Sequence, residues 1–248
     1  MMKLTFLGTG TSTGVPYINC TCETCMSNDP KDKRLRCSAL LEVDGKNILL
    51  DCGPDFRQQA LNAGLHKIDA VLLTHKHMDH ILGLDDLRPF GNVKIYSNQE
   101  TDEAIHKVFS YCFNNDYKGI PQLETHIITE EPFKIGNTTI HPILIWHYKL
   151  PAFGYRINNF AYLTDFKTID EEQLEKIKGL DVLVTDALRW EEHFSHVNID
   201  EALALIEKIK PKRSYLIHMS HSLGLHDNAQ KKLPENVYFA YDGLTIDI

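Results

Sequence analysis

Short apolar runs separated by turn residues set the pattern of this chain. They fall at Leu4–Leu7, Ser38–Val43, Ile48–Leu50, Val71–Leu73, Val93–Tyr96, Thr139–Ile145, Phe160–Leu163, Val182–Val184, Tyr215–Ile217 and Val237–Ala240. Runs of this length, flanked by Gly, Pro, Asn and Asp, predict strands. Apolar positions recur with helical spacing over Thr101–Phe109, Asp170–Lys178 and Ile199–Ile209. The last has Asn198 placed to cap its start and Pro211 beyond its end. Asp55–Ala63 also predicts a helix, stopped by Gly64. Many strands with helices between them predict an α/β sandwich whose helices lie outside. Residues 110–135 are the least regular stretch and are expected to form a loop or lid over a cleft. No linker, repeat or low-complexity tract interrupts the chain, so residues 1–248 are expected to form one domain.

The chemistry concentrates in His75-Lys76-His77-Met78-Asp79-His80, just after the apolar run Ala70–Leu73. In extended backbone, residues two apart point the same way, so His75 and His77 can hold one ion together. Asp79 and His80 come as the chain turns and can reach a second ion. Three more donors sit where apolar runs end: His147 after Ile143–Trp146, Asp165 after Phe160–Thr164, and His218 after Tyr215–Ile217. Active sites of layered α/β folds collect at such strand ends. Asp51, before Cys52 and Gly53, reads equally as a turn carboxylate or as a group orienting a ligand histidine. Asp186 closes Val182–Thr185 and reads either as a group behind a metal ligand or, the preferred reading, as structural.

The 248 residues carry 26 basic and 34 acidic side chains, a formal charge of −8. No basic stripe stands out, which argues against a grip on long nucleic acid and for a small substrate. The opening residues do not look like a signal peptide, and no stretch has the length of a membrane-spanning helix, so a cytoplasmic location without a membrane partner is expected. Three of the six cysteines, Cys20, Cys22 and Cys25, lie within six residues. Without an export signal, such spacing suits thiolates on a structural zinc better than disulfides. Tetrahedral zinc needs a fourth ligand, either His221 or His226. Cys37, Cys52 and Cys112 are isolated and expected to be packed or unpaired.

These motifs together resemble the metallo-β-lactamase superfamily over nearly the whole chain, including Gly8-Thr9-Gly10 and the Leu49–Gly53 turn. The resemblance implies a four-layer αββα sandwich with two divalent metal ions at the edge between its sheets. It implies that His75, His77 and His147 hold one ion, that Asp79, His80 and His218 hold the other, and that Asp165 bridges them. The segment from Gly8 to Pro16, the cysteine cluster, His196 and the Ile217–His221 turn are more narrowly similar to PhnP-type phosphodiesterases, which open cyclic phosphates. In that branch a histidine at the position of His196 lies near the phosphate, and Tyr155 and Arg156 serve as scaffold or rim.

The expected activity is therefore hydrolysis of a small or cyclic phosphodiester, by in-line attack of a hydroxide bridging two ions about 3.5–4 Å apart. Asp79 and His196 are the expected catalytic residues, for proton transfer and for charge at the phosphoryl oxygen or leaving group. The active-site metal could be zinc, manganese or iron by donor type. Arg34, Arg36, Lys76 and Lys149 read either as phosphate contacts or as solvated charges. Rival readings are a tRNA 3′-processing nuclease, a lactonase or β-lactamase, and a non-catalytic protein similar to the PQQ-biosynthesis members. A homodimer is compatible with all of them.

Overall fold

A computed structural model describes residues 2–113 and 119–248. Six strands come first: β1 Met2–Gly8, β2 Ser38–Val43, β3 Lys46–Leu50, β4 Ala70–Leu72, β5 Asn92–Ser97 and β6 Gln122–Ile127. Seven follow: β7 Phe133–Ile135, β8 Thr138–His147, β9 Leu150–Ile157, β10 Phe160–Leu163, β11 Val182–Asp186, β12 Arg213–Ile217 and β13 Val237–Phe239. The first sheet runs β1 to β6 in sequence order, and a final strand, β14 (Thr245–Asp247), returns to pair with β1. The second sheet runs β13 to β7, also as sequence neighbours. The helices are α1 Glu23–Met26, α2 Phe56–Asn62, α3 Met78–Ile81, α4 Gln99–Val108, α5 Glu171–Lys176, α6 Ile199–Ile209 and α7 His226–Gln230.

Alternate side chains of each inner strand enter different cores, because successive residues of a strand point to opposite faces. Ile48 and Leu50 of β3, with Phe160 and Tyr162 of β10, meet in the core between the sheets. Leu49 joins Phe56, Ala60 and Ile105 of α2 and α4 on the outer face of the first sheet. Ala161 and Leu163 join Leu174, Ala202 and Leu205 of α5 and α6 outside the second. The result is the expected four-layer αββα sandwich. Helix α6 matches its expected bounds because its start is satisfied twice. The Asn198 side chain accepts from Glu201 N at 2.9 Å, and the Glu201 carboxylate accepts from Asn198 N at 2.9 Å.

The irregular reading of residues 110–135 is corrected. Gln122–Ile127 pairs in parallel with β5, and Phe133–Ile135 pairs with β8. Both are edge strands, where polar residues mask the alternation that marks inner strands. Tyr111 donates to Asp85, so the described part of this stretch belongs to the sheet edges and the outer layer, not to a lid. Residues 114–118, also within that expectation, lie outside the described residues. Among the described residues, no helix is long and apolar enough to cross a membrane.

Candidate metal centre

The strand-end donors converge. Ligand atoms of His75, His77, His147 and Asp165 all lie within 4.8 Å of one another, as do those of Asp79, His80, Asp165 and His218. Asp165 belongs to both groups. Its Oδ1 is 2.9 Å from His218 Nε2, and its Oδ2 is 3.3 Å from His80 Nε2 and 3.7 Å from His75 Nε2. The backbone bends sharply to present these groups: Asp165 and His218 take positive φ of 52° and 60°, a region that favours glycine. Such strain concentrates at functional sites. Gly53 and Gly83 let the turn after β3 lie against α3. A Cβ on Gly53 would stand 1.9 Å from the Asp79 carbonyl oxygen, and one on Gly83 would stand 2.0 Å from the Gly53 carbonyl oxygen.

Two imidazoles are held through the nitrogen that faces away from the site. His80 Nδ1 donates to Asp51 at 2.7 Å, and Asp51 also accepts from Thr74 N at 2.8 Å. This settles Asp51 as an orienting group. His147 Nδ1 donates to the Ser195 carbonyl at 2.9 Å. In both cases Nε2 is left for the site, the arrangement usual around bound metals. Asp186 is fully buried; its Oδ2 is 3.2 Å from His196 Nδ1 and its Oδ1 is 3.5 Å from His218 Nδ1. Of the two readings of Asp186, the geometry favours the supporting one over the preferred structural one: it stands between two site histidines. The His196 ring lies 4.5 Å from that of His147 and 4.9 Å from that of His218.

Two observations show that this donor set fits cations. First, the buried Nε2 atoms of His80 and His218 make no aligned hydrogen bond despite their short distances to Asp165. Lone pairs aimed at a common point, and not at one another, produce that geometry. Second, the field is strongly negative. Burial acts to make His80 less basic, but Asp165, Asp51 and Asp79 outweigh it and push it well above the usual histidine range. Burial likewise opposes protonation of His218, yet Asp165 and Asp186 raise it to about 10. His75 lies well below the usual range because of burial and the neighbouring His80. Burial, over the opposing pull of Asp165, brings His147 down to about 4. His75 and His147 thus offer neutral nitrogens, and the negative field that favours protons on His80 and His218 equally favours a divalent ion displacing those protons.

A second cluster ties the N-terminal loop to the turn after β12. His221 Nδ1 is 3.4 Å from Cys20 Sγ and 3.3 Å from Cys22 Sγ, and Cys25 joins them within 4.8 Å. The hydrogen bond from His221 lowers the Cys22 thiol to about 6, whereas burial raises Cys25 to about 11. Three sulfurs and one imidazole suit tetrahedral zinc. His226, the other candidate fourth ligand, does not join this group; its Nδ1 accepts from Arg34 Nη2 at 3.0 Å. Cys37, Cys52 and Cys112 are unpaired, as expected.

The four basic residues read as phosphate contacts or solvated charges divide differently. Arg34 is neither: it is 4% exposed and donates inward to Thr9 and the Ala240 carbonyl. Arg36 pairs with Asp55 at 2.8 Å and Lys76 with Glu100 at 2.7 Å. Lys149 is exposed, its Nζ 5.3 Å from the Tyr148 ring centroid. Tyr155 and Arg156 are scaffold: Tyr155 donates to the Leu73 carbonyl at 2.5 Å, and Arg156 to the Lys176 carbonyl at 2.6 Å. Thr74 and Ser195 escaped the sequence reading. Ser195 acts through its backbone, which leaves no sequence signal, whereas Thr74 beside His75 was open to notice.

Residues 46–219 match the Beta-lactamase superfamily domain. A solved structure described as a new diphosphatase from the PhnP family superposes with a TM-score of 0.94 at 40% identity, covering 100% of this chain and 98% of that one. The chain belongs to the β-lactamase superfamily and, within it, to the PhnP family. It is also 44% identical, over 98% of its length, to a protein named octanoyltransferase from Porphyromonas gingivalis, of which it spans 51%. Ribonuclease Z from a Bradyrhizobium strain is 25% identical over 62% of this chain and 49% of that protein. The chain thus spans about half the length of these two curated relatives.

Proposed function

We propose that this PhnP-family member hydrolyses a small or cyclic phosphodiester. The observation that carries the reading is the placement of His196, fixed by Asp186, against two metal-type donor clusters that share Asp165. His75, His77, His147 and Asp165 would hold one divalent ion, zinc, manganese or iron; Asp79, His80, His218 and Asp165 would hold the other. Bound there, the ions would supply a water acidic enough to attack near neutral pH and would offset charge on the phosphoryl oxygens. Cys20, Cys22, Cys25 and His221 would hold a structural zinc.

The chain's own groups divide the remaining work. Asp186 occupies His196 Nδ1, so Nε2 is the nitrogen free to hold a proton for substrate. From there His196 donates to a phosphoryl oxygen and then to the departing alkoxide, a poor leaving group without a proton. Asp79 orients the attacking water as an ionised acceptor; burial works against its ionisation, but the adjoining His80 overrides burial and holds the carboxyl well below its usual range. Thr74 and Asp51 keep His80 from turning.

A second reading follows from the 40%-identical diphosphatase: the bond cut is a P–O–P anhydride. Phosphate leaves without a proton, so His196 would then matter less than for an alkoxide. The test is turnover of bis-p-nitrophenyl phosphate, cyclic phosphodiesters and diphosphate diesters by protein loaded in turn with zinc, manganese and iron. Activity on phosphodiesters supports the first reading, and activity confined to diphosphates supports the second. Activity on lactones with none on phosphoryl substrates would overturn both.

A further inference from the structure

The three sulfurs of the cysteine cluster differ in their access to solvent. Cys22 is exposed, Cys20 is half-buried and Cys25 is buried. Their sulfurs and a ring nitrogen of His221 all lie within 4.8 Å of one another. Cys22 immediately precedes the single turn of α1, and Cys25 lies in that turn. Side chains three positions apart around a helical turn stand about 5–6 Å apart at their roots, and a small closing movement brings such a pair within disulfide reach. Cys22 and Cys25 thus form a C-x-x-C pair with an exposed first sulfur and a sheltered second one. Thiols that cycle between dithiol and disulfide share this arrangement.

The cluster also bears on the active centre. His221 follows His218 in the turn after β12, and that turn is held from two sides. On one side, Met219 N donates to the Thr9 carbonyl at 3.0 Å, and Thr11 N donates to the Met219 carbonyl at 3.0 Å. On the other, His221 lies against Cys20 and Cys22, and its ring stacks on Tyr17 with centroids 5.5 Å apart and planes at 12°. Tyr17 is tied to the same cluster, since its N–H donates to Cys25 Sγ at 3.3 Å. His218 itself sits at φ of 60°, a conformation that persists only while its surroundings enforce it.

We propose that Cys22 is a site of oxidation by hydrogen peroxide, and that its disulfide with Cys25 dismantles the cluster and loosens the turn that carries His218. The Cys22 thiolate attacks one oxygen of the peroxide: an S–O bond forms, the O–O bond breaks and hydroxide leaves. The Cys25 thiolate then attacks the sulfenic sulfur: the S–S bond forms, the S–O bond breaks and a second hydroxide leaves. Two thiolates lose two electrons in all, and the peroxide takes them up to become two hydroxides. The disulfide removes two of the four donors assigned above to the structural zinc, and the inference rests on that assignment. A dithiol reductant reverses the bond.

The test uses the whole chain with zinc in the cluster and manganese in the active centre, freed of reductant and treated with hydrogen peroxide. A zinc-sensitive dye follows release, peptide mass spectrometry maps the disulfide, and electron paramagnetic resonance titrates manganese. Peroxide should link Cys22 to Cys25, release zinc in proportion to that link, and weaken manganese binding by about tenfold, as expected when the support of a ligand histidine is lost. Dithiothreitol with added zinc should restore all three. Cys112→Ser, which removes a half-buried thiol outside the cluster, should respond as the wild type; loss of the response in that variant overturns the assignment to Cys22. Zinc retained under peroxide, or released without the Cys22–Cys25 link, overturns the switch and spares the structural zinc. Manganese affinity unchanged by the disulfide overturns the link to His218. Absence of cluster zinc from the untreated protein overturns the structural-zinc reading, and the switch with it.

Discussion

At the residue scale, His196 is the sharpest test of the chemistry. It bonds Asp186 and lies against the rings of His147 and His218, but neither donor cluster around Asp165 includes it. His196→Ala should lower kcat on an alkoxide-releasing phosphodiester by about 10²–10⁴-fold, with the metal content by elemental analysis close to wild type. Near-normal turnover would remove it from the reaction. Such a residue is legible in sequence only through resemblance, because a lone histidine before a helix has no distinguishing neighbours. His75, His77, Asp79 and His80 were legible directly, since their spacing on a strand end and the following turn already dictates a shared direction. The two readings of Asp186 could not be ranked correctly from sequence because its partners, His196 and His218, are ten and thirty-two positions away, at distances that only folding closes.

At the element scale, two short segments hold disproportionate weight. The start of α6 is closed by a reciprocal Asn198 and Glu201 pair. Asn198→Ala should cost about 1 kcal/mol, read as a fall in the urea midpoint with an unchanged slope. An unchanged midpoint would show that tertiary packing alone holds this end. The loop from Cys20 to Cys25 runs into one short helix, α1. Cys22→Ser should reduce zinc stoichiometry and speed proteolysis of the loop before it alters the chemical step. The inner strands other than β9, the edge strand β13 and the four main helices were readable from apolar spacing. β6, β7 and β14 were not, because edge strands pair on one side and carry polar residues. β9 escaped for another reason: Pro151, Gly154 and Arg156 break its pattern, and its pairing with β8 and β10 holds it in the sheet.

At the scale of the whole molecule, distant parts of the chain are closed by a buried carboxylate. Asp242 accepts from Thr9 N at 2.9 Å and from Leu35 N at 2.6 Å, joining the C-terminal segment to the loops after β1 and before β2. Burial raises its carboxyl from the ordinary aspartate range to about 6 over these opposing hydrogen bonds. The folded state therefore binds more protons than the unfolded chain between about pH 4 and pH 6. Its stability contribution is fully present below that window and is lost as pH rises through 6, a change of about 3 kcal/mol. Asp242→Asn should remove this component: the wild type should lose stability relative to the variant between pH 4.5 and pH 7.5, measured by urea unfolding. A pH-independent difference would contradict the raised carboxyl.

The sequence by itself determined the layered class and the donors, because alternating burial and strand-end chemistry are local properties with a fixed period. Only the tertiary structure decided which histidine completes the cysteine cluster, what Asp51 and Asp186 touch, and that Arg34 points inward. Those facts depend on which strand ends meet across two sheets. A seven-donor centre also depends on turns holding Asp165 and His218 in strained backbone, a cost that the packing of both sheets sustains and that no short stretch of sequence displays.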